Sequence, residues 1–278
     1  MRNFCLLQYK QHNNLPMQTD HSKTILFITG AFVSNECWNE WKDFYDKKGY
    51  RTIAPPWPYK DASPEVLRKR HPDSQVASIR LPQLIEHYEK IVRAMPEKPI
   101  IIGHSLGGLI AQILNQKGLA STIVAIHSVP PQGIMTFKFS FLKAGWGPLG
   151  FFTSTKKTFL MSFSQWQYAF TNGLPLEWQE KGYQQLAIPE SKLVVRDTIT
   201  SVAKVDFNKP HRPILFIAGS TDHTIPFSLN HDNYKKYTDK TSVTDYKLFP
   251  GRNHFVLGQP GWEEIAVYIL EWLQKQKN

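Results

Sequence analysis

Cysteine is nearly absent from this chain. Only Cys5 and Cys37 occur among its 278 residues, too few for the disulfide framework of a small secreted domain. Neither belongs to a Cys-x-x-Cys pair or to a Cys/His pattern with zinc-ligand spacing. The sequence therefore predicts two free thiols and no metal site.

Long hydrophobic runs and export signals are missing as well. A membrane-spanning helix needs about 18 consecutive apolar residues, and no such run occurs. The apolar patch at residues 4–7 is too short for the core of a signal peptide. We expect a cytoplasmic protein that forms no stable association with a membrane.

Acidic residues are the minority among charged groups. The chain has 33 Lys and Arg against 23 Asp and Glu, a formal net charge of +10, which could attract nucleic acid or acidic surfaces. The positive residues are scattered apart from a short run at 68–71, and no basic motif interleaved with aromatics is present. These features favour a solvated basic surface, and we expect no nucleic-acid partner.

Repeats and low-complexity tracts are also absent, whereas 41% of the residues are apolar. Strand-like apolar runs alternate with helical patterns, and this order predicts an α/β fold with a mainly parallel sheet. Strands are predicted at 24–28, 52–54, 99–102, 122–126, 213–217 and 245–249, and helices at about 38–49, 79–95, 106–117 and 262–273. Residues 59–77 are predicted to form a charged loop, and residues 1–22 an N-terminal extension.

The alternation stops between about residues 134 and 205. This stretch is rich in large aromatic side chains, more than a surface loop could leave exposed. We predict that 134–205 is an inserted helical cap over the catalytic edge, with its aromatic groups facing an apolar pocket, and that 23–133 and 206–278 form the core. The aromatic residues are Phe137, Phe139, Phe141, Trp146, Phe151, Phe152, Phe159, Phe163, Trp166, Tyr168, Phe170 and Trp178.

The most informative motif is Gly-x-Ser-x-Gly at residues 103–107. Three isoleucines precede it and an amphipathic run follows it, which is the strand, sharp turn and helix that present a nucleophilic serine. Gly103 and Gly107 must be small because the strand and the helix approach each other closely at this turn. The motif predicts Ser105 as the nucleophile.

A serine nucleophile needs a base and a carboxylate that orients the base. In parallel sheets, functional groups gather beyond the carboxyl ends of the strands. Asp222 follows the run at 213–217, and His254 follows the run at 245–249. We predict Asp222 as the orienting acid and His254 as the general base, in the chain order Ser, Asp, His.

Other histidines lie near the same edge. His104 precedes the serine and is predicted to be structural, pointing away from Ser105. His127 and Ser128 follow the run at 122–126 but offer no carboxylate, which leaves Asp222 as the candidate acid. His223 is adjacent to Asp222 and does not follow the last strand.

Together these motifs resemble the α/β-hydrolase superfamily over about residues 23–275, and in particular its small cofactor-free serine esterases and haloperoxidase-like hydrolases. The resemblance rests on the nucleophile elbow at 103–107, the acid loop at 219–226, the histidine loop at 251–255 and the stretch Thr29-Gly30-Ala31-Phe32. That stretch is similar to the family's oxyanion motif, with threonine in place of histidine.

The resemblance implies an oxyanion hole and no cofactor. The backbone N–H groups of Leu106 and Ala31 would bind the developing oxyanion. Thr29 and Phe32 are possible substrate contacts, and Thr29 could lend its hydroxyl to a substrate oxygen.

The predicted function is hydrolysis of a carboxylic ester, or a lactone, thioester or amide, through an acyl-enzyme on Ser105. The partner would be a small, apolar, ester-type molecule, while the oligomeric state stays open. Two alternatives use the same fold: a lyase or carbon-carbon bond hydrolase with the same triad, and a catalytically silent ligand-binding receptor.

Overall fold

A single parallel sheet organises the molecule. The computed structural model describes residues 22–136 and 138–276, so the predicted extension, apart from Ser22, and Cys5 lie outside the described residues. Six strands pair in the order β2-β1-β3-β4-β5-β6, all in parallel. They are β1 (Thr24–Ile28), β2 (Arg51–Ile53), β3 (Ile100–His104), β4 (Thr122–Ile126), β5 (Ile214–Gly219) and β6 (Thr244–Phe249). The predicted α/β class and parallel sheet are confirmed.

The central strands are buried along their whole length. In β3, Ile102 pairs with Phe27 of β1 on one side and with Val124 of β4 on the other. Every residue of β1, β3, β4 and β5 is buried, because helices cover both faces of a parallel sheet, and this explains their nearly continuous apolar sequences.

Eleven α-helices lie within the described residues. Their bounds are α1 Asn39–Asp46, α2 Pro64–Lys69, α3 Ser74–Ala77, α4 Leu81–Arg93, α5 Leu106–Gln116, α6 Phe139–Leu149, α7 Phe163–Ala169, α8 Leu176–Leu186, α9 Lys192–Asp197, α10 Phe227–Lys236 and α11 Glu263–Lys275. None of the helices in this part of the chain is long and apolar enough to cross a membrane.

The prediction of a loop over 59–77 is wrong in part, because α2 and α3 lie there. Each short helix begins at a side chain that caps its first turn. The Ser63 hydroxyl accepts a hydrogen bond from the N–H of Val66, and the Asp73 carboxylate accepts from the N–H groups of Gln75 and Val76. Such caps satisfy N–H groups that a helix end would otherwise leave unpaired.

The insertion, residues 134–205, contains α6 to α9 and connects β4 to β5. Its aromatic side chains fall into three groups, of which the half-buried one includes Phe141, Phe159, Phe163, Tyr168 and Trp178. Trp166 and Phe170 are buried, in agreement with an inward orientation, but Phe139, Trp146, Phe151 and Phe152 are exposed. The prediction that the aromatic groups of the insertion face a pocket is therefore wrong for these four. Phe137 lies outside the described residues.

Candidate active site

Ser105 lies on the turn between β3 and α5, in a backbone conformation that few non-glycine residues adopt. Its φ is 55° and its ψ is −118°. A Cβ on Gly103 would lie 2.1 Å from the carbonyl oxygen of Gly107, and a Cβ on Gly107 would lie 2.0 Å from the carbonyl oxygen of Ile28. Only glycine fits at either position, so the sequence forces the strained turn that presents the serine hydroxyl.

The structure brings together the three residues predicted from the strand ends. The Oγ atom of Ser105 lies 3.1 Å from Nε2 of His254, and Nδ1 of His254 lies 2.8 Å from Oδ2 of Asp222. All three side chains are buried. The hydrogen bond from Nδ1 to the carboxylate leaves the lone pair of Nε2 directed at the serine hydroxyl, which is the tautomer that a general base requires.

Asp222 accepts four hydrogen bonds. Its Oδ2 accepts from His254 and from His127, and its Oδ1 accepts from the N–H groups of Thr224 and Ile225 at 2.8 Å each. Burial alone raises the pKa of this carboxyl, but the positive charge that His254 and His127 carry when protonated, together with their hydrogen bonds, outweighs burial and holds the pKa below its usual range. Asp222 is therefore an ionised acceptor that cannot rotate freely.

His127 is the residue of this site that sequence reasoning missed. It follows β4 with a φ of 45°, and its Nδ1 lies 2.7 Å from the same Oδ2 atom that receives His254. Burial lowers the pKa of His127, and the neighbouring carboxylate opposes this effect without cancelling it. A neutral imidazole that donates through Nδ1 fits these contacts. The sequence signal that could have indicated this role is the position of His127 directly after the buried strand β4.

The His104 ring lies next to the rings of His127 and His254. Its Nε2 donates to the carbonyl oxygen of His254 at 3.0 Å, which agrees with the predicted structural role. Burial, followed by the nearby His254 and His127, lowers the pKa of His104 well below its usual value. Nδ1 of His104 and Nε2 of His127 have no hydrogen-bond partner in the described part of the chain.

The three histidines are also the candidate metal ligands. One ring nitrogen from each of His104, His127 and His254 lies within 4.8 Å of the others. Ligand nitrogens around a tetrahedral zinc ion are only about 3.4 Å apart, given Zn–N bonds of about 2.1 Å. The rings would have to move to hold such an ion, and His254 would have to leave Ser105.

The predicted oxyanion donors lie on either side of Ser105. Leu106 is the first residue of α5, and a Cβ on Gly30, which precedes Ala31, would lie 2.7 Å from Cβ of Ser105. The backbone N–H groups of Ala31 and Leu106 are thus candidate donors to a negatively charged oxygen that forms beside the serine hydroxyl.

Thr29 and Phe32, the two possible substrate contacts, have other partners. The buried Thr29 hydroxyl accepts a hydrogen bond from Nε1 of Trp38 at 3.1 Å. Phe32 has a φ of 71°, and its ring meets Phe159 of the insertion edge to face at a centroid distance of 6.0 Å. Thr29 is buried next to Trp38, whereas Phe32 lies at the boundary between the core and the insertion.

The family can be assigned once this geometry is known. A model of the alpha/beta hydrolase family matches residues 25–263, a span that includes Ser105, Asp222 and His254. The chain belongs to the alpha/beta hydrolase family. No curated protein matches its sequence.

Solved structures of other α/β hydrolases agree with the fold of this one. A monoacylglycerol lipase from Paleococcus ferrophilus has a TM-score of 0.63 at 17% identity, covering 91% of this chain and 94% of that one. A methylesterase from Arabidopsis has a TM-score of 0.62 at 15% identity, with 90% and 98% covered. A variant of tomato methylketone synthase I complexed with β-ketoheptanoate has a TM-score of 0.65 at 15% identity, with 92% and 98% covered. These likenesses concern the fold alone.

The insertion contacts both loops that carry the partners of Ser105 in this hydrolase. The ring of Phe170 packs on the His254 ring at a centroid distance of 4.8 Å, and its carbonyl oxygen accepts from the N–H of Phe255. Asn172 donates to the carbonyl oxygen of Thr221 and accepts from Asn253 through its own carbonyl. The acid loop and the histidine loop are thus both tied to the insertion, and Ser105 is 5% exposed.

A cavity of about 270 Å³ lies inside the insertion. Phe159, which meets Phe32, lines it together with Met161, Ala144 and Tyr168, and Lys143 lies at its edge over the Tyr168 ring. A larger groove of about 480 Å³ runs along α4 and α5 but includes none of the candidate catalytic residues. The smaller cavity includes none of them either, but its lining residue Phe159 contacts Phe32, the residue after Ala31, so it is the better candidate for a substrate pocket.

Proposed function

We propose that this protein hydrolyses a carboxylic ester through an acyl-enzyme on Ser105. The observation that carries the proposal is the buried chain of contacts from Ser105 Oγ to His254 Nε2 at 3.1 Å and from His254 Nδ1 to Asp222 Oδ2 at 2.8 Å. These distances allow proton transfer from the serine hydroxyl to the imidazole.

In the first half of the reaction, Ser105 Oγ attacks the ester carbonyl carbon while His254 Nε2 takes the hydroxyl proton. The carbonyl oxygen becomes an oxyanion, to which the N–H groups of Ala31 and Leu106 donate. His254 then gives its proton to the leaving alcohol oxygen as the carbon-oxygen bond breaks. Asp222 stays ionised throughout and stabilises the imidazolium.

In the second half, water attacks the acyl-enzyme. His254 takes one proton from the water and returns it to Ser105 Oγ, and the carboxylic acid leaves. The overall change consumes one water and forms one acid and one alcohol. Because Ser105 and His254 are buried, we propose that the insertion acts as a cap that opens to admit substrate.

We propose a small, largely apolar substrate. The cavity beside Phe159 is lined mainly by apolar groups, and the similar structures include proteins described as a monoacylglycerol lipase and a methylesterase. No contact within the described residues favours a lyase or carbon-carbon hydrolase that relies on the Thr29 hydroxyl, which is buried next to Trp38.

A series of p-nitrophenyl esters of increasing acyl length tests the proposal. Each buried methylene contributes about 0.8 kcal/mol, so two added carbons should raise kcat/KM by about tenfold until the cavity is full. Ser105→Ala should abolish turnover of every ester, and Ser128→Ala, which changes a serine beyond the neighbouring strand β4, serves as its matched control. Equal turnover by Ser105→Ala would refute the acyl-enzyme, and a flat response to acyl length would refute the apolar pocket.

A further inference from the structure

The first part of the insertion exposes large apolar side chains around one helix. On α6, Phe139, Leu142 and Trp146 lie at spacings i, i+3 and i+7 and are 74%, 49% and 70% exposed. Residues at this spacing share one side of a helix. Met135 precedes the helix and Phe151 and Phe152 follow it, all three exposed. We call these six residues the apolar face: Met135, Phe139, Leu142, Trp146, Phe151 and Phe152.

The apolar face is about as large as the largest apolar patches that typical soluble proteins expose. An aromatic side chain presents roughly 150–250 Å², so its four aromatic members alone expose on the order of 600 Å². That area reaches the upper end of the largest patch on a typical monomer, and such patches mark interaction sites.

The other side of α6 already has a structural role. Ala144 and Pro148 are buried, and with Gly147 they line the cavity inside the insertion. The helix is therefore held by its inner side, and its apolar outer side contributes nothing to the core. A helix that is apolar on both sides requires a second partner.

The segment that carries the apolar face has charges of one sign. Lys138, Lys143, Lys156 and Lys157 are exposed in this segment, and the sequence contains no Asp or Glu between Glu97 and Glu177. The Lys and Arg side chains named next contact an aromatic ring or backbone carbonyl oxygens and, among the described residues, no carboxylate. Lys143 lies over the Tyr168 ring, and Arg196 of α9 donates to the carbonyl oxygens of Leu149 and Gly150.

We propose that the apolar face docks reversibly on an anionic lipid surface. Aromatic and aliphatic groups would enter the headgroup boundary while the lysines of the same segment contact anionic headgroups, the arrangement of an interfacial amphipathic helix. A second copy of the chain fits less well, because two such faces would bring their lysines together. Docking on lipid goes beyond the proposed ester hydrolysis and does not depend on it.

Co-sedimentation with phosphatidylcholine vesicles, with and without phosphatidylglycerol, tests the docking. Ser105→Ala is used as the starting protein, so that binding is measured without turnover. It should bind the anionic vesicles and much less the neutral ones. The triple variant Phe139→Ser, Trp146→Ser, Phe152→Ser should lose this binding, whereas Val267→Ser, an exposed apolar residue on α11, should keep it.

A lysine pair gives the matched electrostatic test. Lys156→Gln with Lys157→Gln should weaken binding at least tenfold, and Lys47→Gln with Lys48→Gln, an exposed pair after α1, should not. Binding that is equal on neutral vesicles, or that survives the triple variant, would overturn the proposal. So would a dimer, seen by analytical ultracentrifugation of the starting protein, that the triple variant abolishes, because a second copy would then be the occupant.

Discussion

At the scale of single residues, Asp222 is the group on which the site depends. One oxygen of its carboxylate accepts hydrogen bonds from the imidazoles of His254 and His127, and the other accepts hydrogen bonds from two backbone N–H groups. This full set of donors fixes the plane of the carboxylate and thereby the direction of the His254 ring. We infer that His127 positions Asp222 without touching the reacting atoms.

Removal of the His127 donor should slow turnover. In His127→Leu, the carboxylate loses one partner and can rotate away from His254, so we expect kcat to fall at least about tenfold. KM for a soluble ester should stay within about twofold, because His127 is remote from the substrate. His127→Asn keeps a donor and tolerates a positive φ, so it should recover part of kcat. An unchanged kcat in His127→Leu would limit His127 to a structural role.

Two buried histidines, His104 and His127, should also make stability depend on pH. Their pKa values are lowered in the folded chain, mainly by burial, so below the unfolded pKa of about 6.5 the unfolded chain binds protons that the folded chain does not. Stability is therefore highest above this pH and decreases as the pH falls through it, by up to about 1.4 kcal/mol per pH unit for each histidine. Urea unfolding from about pH 7.5 to 5 measures the slope, which should be shallower in His104→Asn. A flat profile would contradict the neutral buried state.

The sequence predicted the three candidate catalytic positions but not their neighbours. Ser105, Asp222 and His254 each follow an apolar run, and a parallel sheet brings the ends of its strands to one edge, so their meeting could be anticipated. The bond from His127 to Asp222 could not, because it depends on the positive φ of His127 and on the direction of one side chain.

At the scale of elements, the strongly periodic segments were predictable and the short ones were not. The apolar period over 79–95 appears as α4, and the buried runs appear as strands. Helices α2 and α3 have six and four residues, too short for a periodic pattern, and depend on the caps at Ser63 and Asp73. Helix α10 has a mixed, polar sequence that gave no clear signal.

One buried ion pair joins the insertion to the core. Lys60 lies 2.5 Å from Glu190, both side chains are buried, and Glu190 also accepts from the N–H of Phe32, the residue after Ala31. Burial lowers the pKa of Lys60, and Glu190 opposes that shift. The pair therefore connects the insertion to the loop that carries the proposed oxyanion donor.

A double-mutant cycle measures the coupling across this contact. Glu190→Gln leaves the Lys60 charge buried without a counterion, so we expect a loss of about 3–5 kcal/mol in unfolding free energy, and a similar loss in Lys60→Met. The double variant should lose clearly less than the sum, because neither charge is then left alone. The exposed pair Glu86 and Lys90 on α4 is the control, in which solvent screening should leave little or no coupling. Coupling no larger than in this control would show that the buried pair does not hold the insertion.

At the scale of the whole molecule, the insertion both contacts the candidate site and exposes a second, apolar surface. The sequence indicated a helical segment rich in aromatics, but composition alone does not distinguish inward from outward side chains. Phe170 packs on His254 while Trp146 is exposed, and only the orientation of α6 and α7 on the core decides between these outcomes. We infer that one face of the insertion serves catalysis and the other serves docking.

The central claim is that Ser105 is an activated nucleophile. A fluorophosphonate probe modifies only serines whose hydroxyl an adjacent base activates. Mass spectrometry of the labelled protein should show a single adduct on Ser105, with much slower labelling in His254→Ala and none in Ser105→Ala. A folded protein that takes no label, or that takes it on another serine, would contradict the account.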